Sequence, residues 1–223
     1  MSAAIDLDEL TRQTRRQEFV DGLNDLQTGL VFLLLGAHGA YLFSTEGMTF
    51  YIKALIWNRE LTILSQVALL GLCAVVAFGA RRFIHYLRAK VLWKDQGQAV
   101  PLRMQARWPA IAAATGVAAI LIVAGLIYVP PPELDLAAGM RVLAATSGVG
   151  TGILYFALGR ELGLRRLQWA GLAGGLVSAV IFFLPLAAAQ AWLALGIVWA
   201  ATLFLSGGLA LRRRLAEVRS SHV

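Results

Sequence analysis

Three polar side chains lie within otherwise apolar stretches of the chain, and their types could do chemistry. His38 can take up or release a proton near neutral pH, Gln66 can donate and accept hydrogen bonds, and Arg141 keeps its positive charge. Polar groups in such stretches are costly and therefore tend to mark sites. Each lies about four to six residues from one end of its stretch, or about 6 to 9 Å at 1.5 Å per residue. If these apolar stretches cross a membrane, the three residues form a candidate ligand-binding vestibule that opens to the outer side of that membrane.

The same residues also have a purely structural interpretation. Arg141 can extend towards Glu133 or Asp135 at the end of its segment, as long basic side chains do at a membrane surface. His38 and Gln66 can hydrogen-bond to neighbouring backbone. We favour this interpretation and keep the vestibule as the alternative.

Patterns that would identify an enzyme or a cofactor site are missing from the sequence. His38, His85 and His222 fall in separate segments and cannot meet across one haem in a monomer. Cys73 is the single cysteine, which excludes a disulfide or a cysteine-ligated metal within one chain. The sequence contains no phosphate-binding loop, no HExxH pair and no GxSxG elbow. We therefore expect no catalytic residues, no metal and no cofactor.

The apolar content of the chain predicts a membrane protein. Hydrophobic residues make up 58% of the chain, charged residues make up 15%, and the mean hydropathy is +0.68. A soluble fold of this composition has too few polar side chains to cover its surface. Because lipid offers no hydrogen-bond partners, each crossing segment must be helical. We therefore expect an all-α, polytopic bundle of six transmembrane helices over residues 26–211. The expected spans are about 26–44, 61–80, 108–129, 137–158, 167–187 and 190–211.

The basic residues predict the orientation of this bundle. Alternate segments between the spans hold 17 of the 20 lysines and arginines, and the positive-inside rule places those segments in the cytoplasm. Both termini are then cytoplasmic (N-in/C-in). Residues 1–25 are expected to form an amphipathic cytoplasmic helix and residues 212–223 a basic cytoplasmic tail. The stretch from Met48 to Trp57 is too short to cross, which indicates an interfacial or re-entrant segment on the outside.

Two pairs of glycines are spaced for close helix contact. Gly148 and Gly152 are four residues apart in the fourth span, and Gly171 and Gly175 are four apart in the fifth. Small residues at this spacing let two helix backbones approach where lipid gives no hydrophobic drive for association. We expect helix packing at these glycines. A flexible pore lining and a dimer contact are the alternatives.

These observations exclude more functions than they identify. The chain is expected to be a multi-pass protein of a bacterial inner (plasma) membrane, with a non-enzymatic accessory or scaffold role. The alternative is a small oligomeric permease or channel that uses the outward-facing vestibule. For either role, the expected partners of the protein are anionic lipid headgroups, a membrane or cytoplasmic protein, and a second copy of the same chain. Nucleic acid is not expected, because the basic residues are scattered among short loops.

Overall fold

The computed structural model describes residues 13, 16–92 and 136–220 of the 223-residue chain. These residues are 92% helical and contain no strand, which confirms the all-α fold class for the described part of the chain. The six helices of this part are α1 (Leu23–Leu42), α2 (Thr45–Trp57), α3 (Arg59–Leu87), α4 (Leu136–Glu161), α5 (Arg165–Phe183) and α6 (Ala188–Ser220). A π-helical turn, Arg88–Leu92, follows α3.

A short helical segment, residues 16–20, precedes α1. Gly22 separates the two with a backbone φ of 75°, a left-handed conformation that glycine adopts without strain. Gly22 also lies against the backbone of Gly207 in α6, where a Cβ atom would overlap its carbonyl oxygen. The chain therefore turns at Gly22, and the N-terminal helix does not run straight into α1.

Three of these helices are long and apolar enough to cross a membrane, namely α4, α5 and α6. The bent pair of α1 and α2 could add a fourth crossing. The predicted span at 61–80 falls within α3, and the predicted span at 108–129 lies outside the described residues. The number of six spans and their orientation therefore stay predictions. Residues 212–220, expected as a tail, continue α6 without a break.

Packing centres on α6. α1 lies along α6, α4 lies along α5, and α6 also contacts α4 and α5. Trp199 of α6 is fully buried, and its ring stacks on Phe32 of α1 and packs against Tyr155 of α4, with ring centroids 5.5 and 5.6 Å apart. Gly36 of α1 and Gly196 of α6 bring these two backbones together, because a Cβ atom on Gly36 would lie 2.6 Å from the Gly196 Cα atom. Aromatic rings and glycine contacts thus join the first helix to the last.

Candidate functional site

The structure does not join the three residues of the candidate vestibule into one described site. His38 is half-buried on α1, Gln66 lies on α3, and the side chain of Gln66 is outside the described part. Arg141 of α4 donates from Nη1 to the carbonyl oxygen of Leu184 at 3.2 Å. No hydrogen bond or ion pair links His38 to Arg141 among the described residues. Arg141 is thus occupied by the connection between α5 and α6.

The four glycines singled out by their spacing lie on the facing sides of α4 and α5. A Cβ atom on Gly152 would lie 2.6 Å from the Gly171 carbonyl oxygen and 2.7 Å from the Gly175 Cα atom. A Cβ atom on Gly148 would overlap the side chain of Ser178. All of these distances are too short for a real carbon atom, so the observed approach of the two backbones requires glycine at both Gly148 and Gly152.

A buried ion pair lies where α1 begins, at the end of the bundle opposite to His38 and Arg141. Arg88, in the turn after α3, donates from Nε to Asp21 Oδ2 at 2.5 Å and from Nη2 to Asp21 Oδ1 at 2.9 Å. The two side chains are only 5% and 1% exposed. Asp21 Oδ1 also accepts from the Leu23 backbone N–H at 3.0 Å and so caps a free donor at the start of α1. This carboxylate therefore fixes both a helix start and a distant arginine.

A second ion pair lies one helical turn further along the chain. Asp25, in the first turn of α1, is fully buried. Its Oδ2 atom accepts from Arg166 Nη1 at 2.5 Å and from the Ser206 hydroxyl at 3.2 Å. Arg166 stands in the first turn of α5, and Ser206 lies on α6. Asp25 thus joins α1, α5 and α6 at one point. We call Asp21, Asp25, Arg88 and Arg166 the Asp–Arg network.

Both arginines of this network also bind the N-terminal helical segment. Arg88 Nη2 donates to the Glu18 carbonyl oxygen at 2.5 Å, and Arg166 Nη2 donates to the Phe19 carbonyl oxygen. These carbonyls belong to the last turn of residues 16–20, and the Phe19 carbonyl oxygen also accepts from the Gly22 N–H at 3.2 Å. A cation at this position also complements the negative end of the helix dipole. The network therefore holds the N-terminal segment against the bundle.

Uncharged polar side chains of α1 and α4 lie next to the network, further towards the middle of the bundle. The Tyr155 hydroxyl of α4 lies beside the Thr28 side chain of α1. The Thr28 hydroxyl in turn donates to the Asn24 carbonyl oxygen at 2.9 Å, and the Asn24 side chain accepts from Arg88 at 3.3 Å. Polar contacts therefore extend from the paired charges to the ring of Tyr155, which lies beside Trp199.

The arrangement is suited to holding helices together. The two aspartates and the two arginines balance each other in charge and form charge-assisted hydrogen bonds. The four residues come from four different segments of the chain. Asp25 Oδ1 is the one carboxylate oxygen of the network without a partner among the described residues. The described residues contain no cluster of three or more histidine, cysteine or acidic side chains placed to hold a metal ion. The network thus fixes these segments relative to one another.

Sequence reasoning missed the Asp–Arg network. Asp21 and Asp25 lie before the expected first span, and Arg88 and Arg166 were counted only as loop charges. The one local signal is the spacing of four between the two aspartates, which would put both on one face of a continuous helix, although the turn at Gly22 separates them in the structure. Their partners are 67 and 141 residues away in sequence.

No protein-family model, no curated protein and no solved structure matches this chain. The class is therefore defined by the fold and the site alone. The described part of the chain forms an all-helical bundle whose long apolar helices are consistent with a multi-pass membrane protein. One end of this bundle carries a buried network of paired charges.

Proposed function

We propose that this protein is a non-enzymatic scaffold or accessory subunit of a bacterial inner-membrane system. In this proposal six helices cross the membrane, both termini are cytoplasmic, and the end with the Asp–Arg network faces the cytoplasm. The N-terminal helix is presented there to a protein partner. The observation that carries the proposal is the double attachment of this helix, through Glu18 and Phe19, to Arg88 and Arg166.

The attachment leaves one side of the N-terminal helix open. Glu18 and Phe19 are half-buried against the bundle, whereas Arg16, Gln17 and Val20 are exposed. Exposed positions separated by three and four residues lie on one helical face. A helix held at a fixed angle with one open face loses little conformational freedom on binding, which favours a role as a docking platform.

The surrounding surface supports a contact with anionic lipid or with an acidic partner. Exposed basic side chains lie on four helices at this end, namely α3, α4, α5 and α6. They are Arg81, Arg82, Arg160, Arg165, Arg212 and Arg213. Juxtamembrane arginines gain free energy near anionic headgroups and orient the protein in the bilayer.

The permease alternative receives no comparable support. It depends on a polar pocket shared by His38, Gln66 and Arg141, and Arg141 is bonded to the backbone of Leu184. A cavity of about 360 Å³ does lie between α4 and α5, but its lining, which includes Ile153, Phe156 and Leu176, is apolar. Such a cavity offers no path for a polar solute.

Site-specific photocrosslinking in cells tests the proposal. A photoreactive amino acid at Gln17 or Val20 should give one defined protein adduct. The same group at Leu176, which is 62% exposed in the middle of α5, should give only lipid adducts. An Arg88→Met change should weaken the adduct at Gln17, because the N-terminal helix loses its fixed position. Lipid adducts alone at Gln17 and Val20, or solute uptake by the purified protein in vesicles, would contradict the scaffold role.

A further inference from the structure

We propose that α2 lies in the boundary between headgroups and acyl chains of the bilayer, at the end of the bundle opposite to the Asp–Arg network. α1 begins at the network and ends at Leu42, so α2 is at the other end. The axes of α1 and α2 differ by 71°. The Ser44 hydroxyl accepts from the Gly47 N–H at 3.0 Å, and the Asn58 side chain accepts from the Leu61 N–H at 3.0 Å. Capped corners therefore set α2 apart from α1 and α3.

The length and direction of α2 keep it at one depth. It has 13 residues, or about 20 Å at 1.5 Å per residue. With α1 along the membrane normal, the angle of 71° leaves a projection of about 6 Å on that normal. The hydrocarbon core is about 30 Å thick. α2 therefore changes little in depth from one end to the other, as expected for a helix that lies along the surface.

The exposed side chains of α2 match this boundary. Phe50, Ile56 and Trp57 are 64%, 82% and 94% exposed, although such groups are favoured in an apolar environment. Lys53 is also exposed and carries a charge. An aromatic ring with a polar edge and a lysine with a long apolar stem are both favoured where apolar and aqueous phases meet.

The order of these groups around the helix favours lipid over a protein partner. At 100° per residue, Glu46 and Lys53 lie between Trp57 and Phe50 on one side and Ile56 on the other. The centre of a protein–protein interface is depleted of charged residues, whereas on α2 two charged residues lie between the apolar groups. At a bilayer surface the ammonium group can reach the headgroups while the rings and the isoleucine enter the acyl region. The opposite face holds Tyr51 and Leu55, which are half-buried.

Spin-label depth measurements test the proposal. Single cysteines replace Phe50, Lys53 or Trp57 in a full-length Cys73→Ser protein, which is reconstituted in phosphatidylcholine–phosphatidylglycerol vesicles. Collisions with oxygen and with a water-soluble nickel complex then report depth. Leu176→Cys in α5 is the deep control, and Ala216→Cys near the end of α6 is the aqueous control.

The expected result is shallow depth at all three positions of α2. Labels at residues 50 and 57 should differ by about 3 Å along the normal, from seven residues at 1.5 Å and the angle of 71°. A difference of about 10 Å would show a helix that enters the membrane and would overturn the proposal. Low collision rates of the labels with both oxygen and the nickel complex would show that a protein covers α2. Collision rates equal to those at Ala216→Cys would show that α2 lies in water. Either result also overturns it.

A second measurement avoids the change at Cys73. Quenching of tryptophan fluorescence by brominated lipids is compared between the unmodified protein and Trp57→Phe. The difference signal belongs to Trp57, and lipids brominated near the headgroup should quench it more than lipids brominated near the chain end. The reverse order, or no quenching by either lipid, would contradict an interfacial α2.

Discussion

Replacing Arg88 by methionine tests the energetic role of the Asp–Arg network. Methionine keeps an unbranched apolar stem of similar reach but removes every donor. The substitution deletes two hydrogen bonds to Asp21, one to the Glu18 carbonyl and one to Asn24. It leaves the Asp21 carboxylate, 1% exposed, without its countercharge.

The expected loss of folding free energy is large. Removing one partner of a buried ion pair costs about 3–5 kcal/mol, because the remaining charge stays desolvated. A matched control exists on α6, where Arg214 and Glu217 pair at 2.8 Å with side chains 21% and 64% exposed. Exposed pairs contribute about 0.2–1 kcal/mol. Arg214→Met should therefore destabilise the protein several-fold less than Arg88→Met.

A double-mutant cycle separates the pair from the packing of the side chains. Asp21→Asn removes the charge but keeps an oxygen for the Leu23 N–H. In the protein that carries both changes, no unpaired charge remains, so the combined loss should fall short of the sum of the single losses by about 2 kcal/mol. The assay is reversible unfolding in mixed micelles by titration with dodecyl sulfate, followed by circular dichroism. Additive losses, or equal losses for Arg88→Met and Arg214→Met, would refute the reasoning.

Three further predictions concern helix contacts and the network. Gly152→Ala should destabilise the protein by about 1–3 kcal/mol through overpacking. The control Gly150→Ala should not, because no atom lies within 4 Å of an added Cβ there. Similar unfolding midpoints for the two variants in the dodecyl sulfate titration would contradict the close approach of α4 and α5. Gly22→Ala should cost more than Gly163→Ala, since both glycines have positive φ but only Gly22 faces a neighbouring backbone; equal melting temperatures would show that strain alone decides. Ser206→Ala should cost about 1 kcal/mol by removing one hydrogen bond from Asp25, and an unchanged unfolding midpoint would show that this bond contributes nothing.

The all-helical fold could be predicted because it follows from composition and from the properties of lipid. Long apolar segments have no alternative to the helix where backbone groups find no water. The bounds of the helices were less accessible, since the polar residues 212–220 give no sign that α6 continues through them.

The candidate site was largely invisible in the sequence. Arg88 and Arg166 look like any basic residue beside a membrane, and the charge rule explains their presence without a partner. Pairing depends on where α3 ends and where α5 begins relative to Asp21 and Asp25, which is set by helix packing over long sequence distances. The polar residues within apolar stretches, His38 and Arg141, lie instead at the opposite end of the bundle.

The Asp–Arg network holds the N-terminal helix at one position on the bundle. Pulsed electron spin resonance between labels at Gln17→Cys and Ala216→Cys, in the Cys73→Ser protein in vesicles, measures this most directly. We expect one narrow distance distribution that becomes broad when Arg88→Met and Arg166→Met are added. A distribution that is broad from the start, or one that stays narrow without the two arginines, would contradict this attachment.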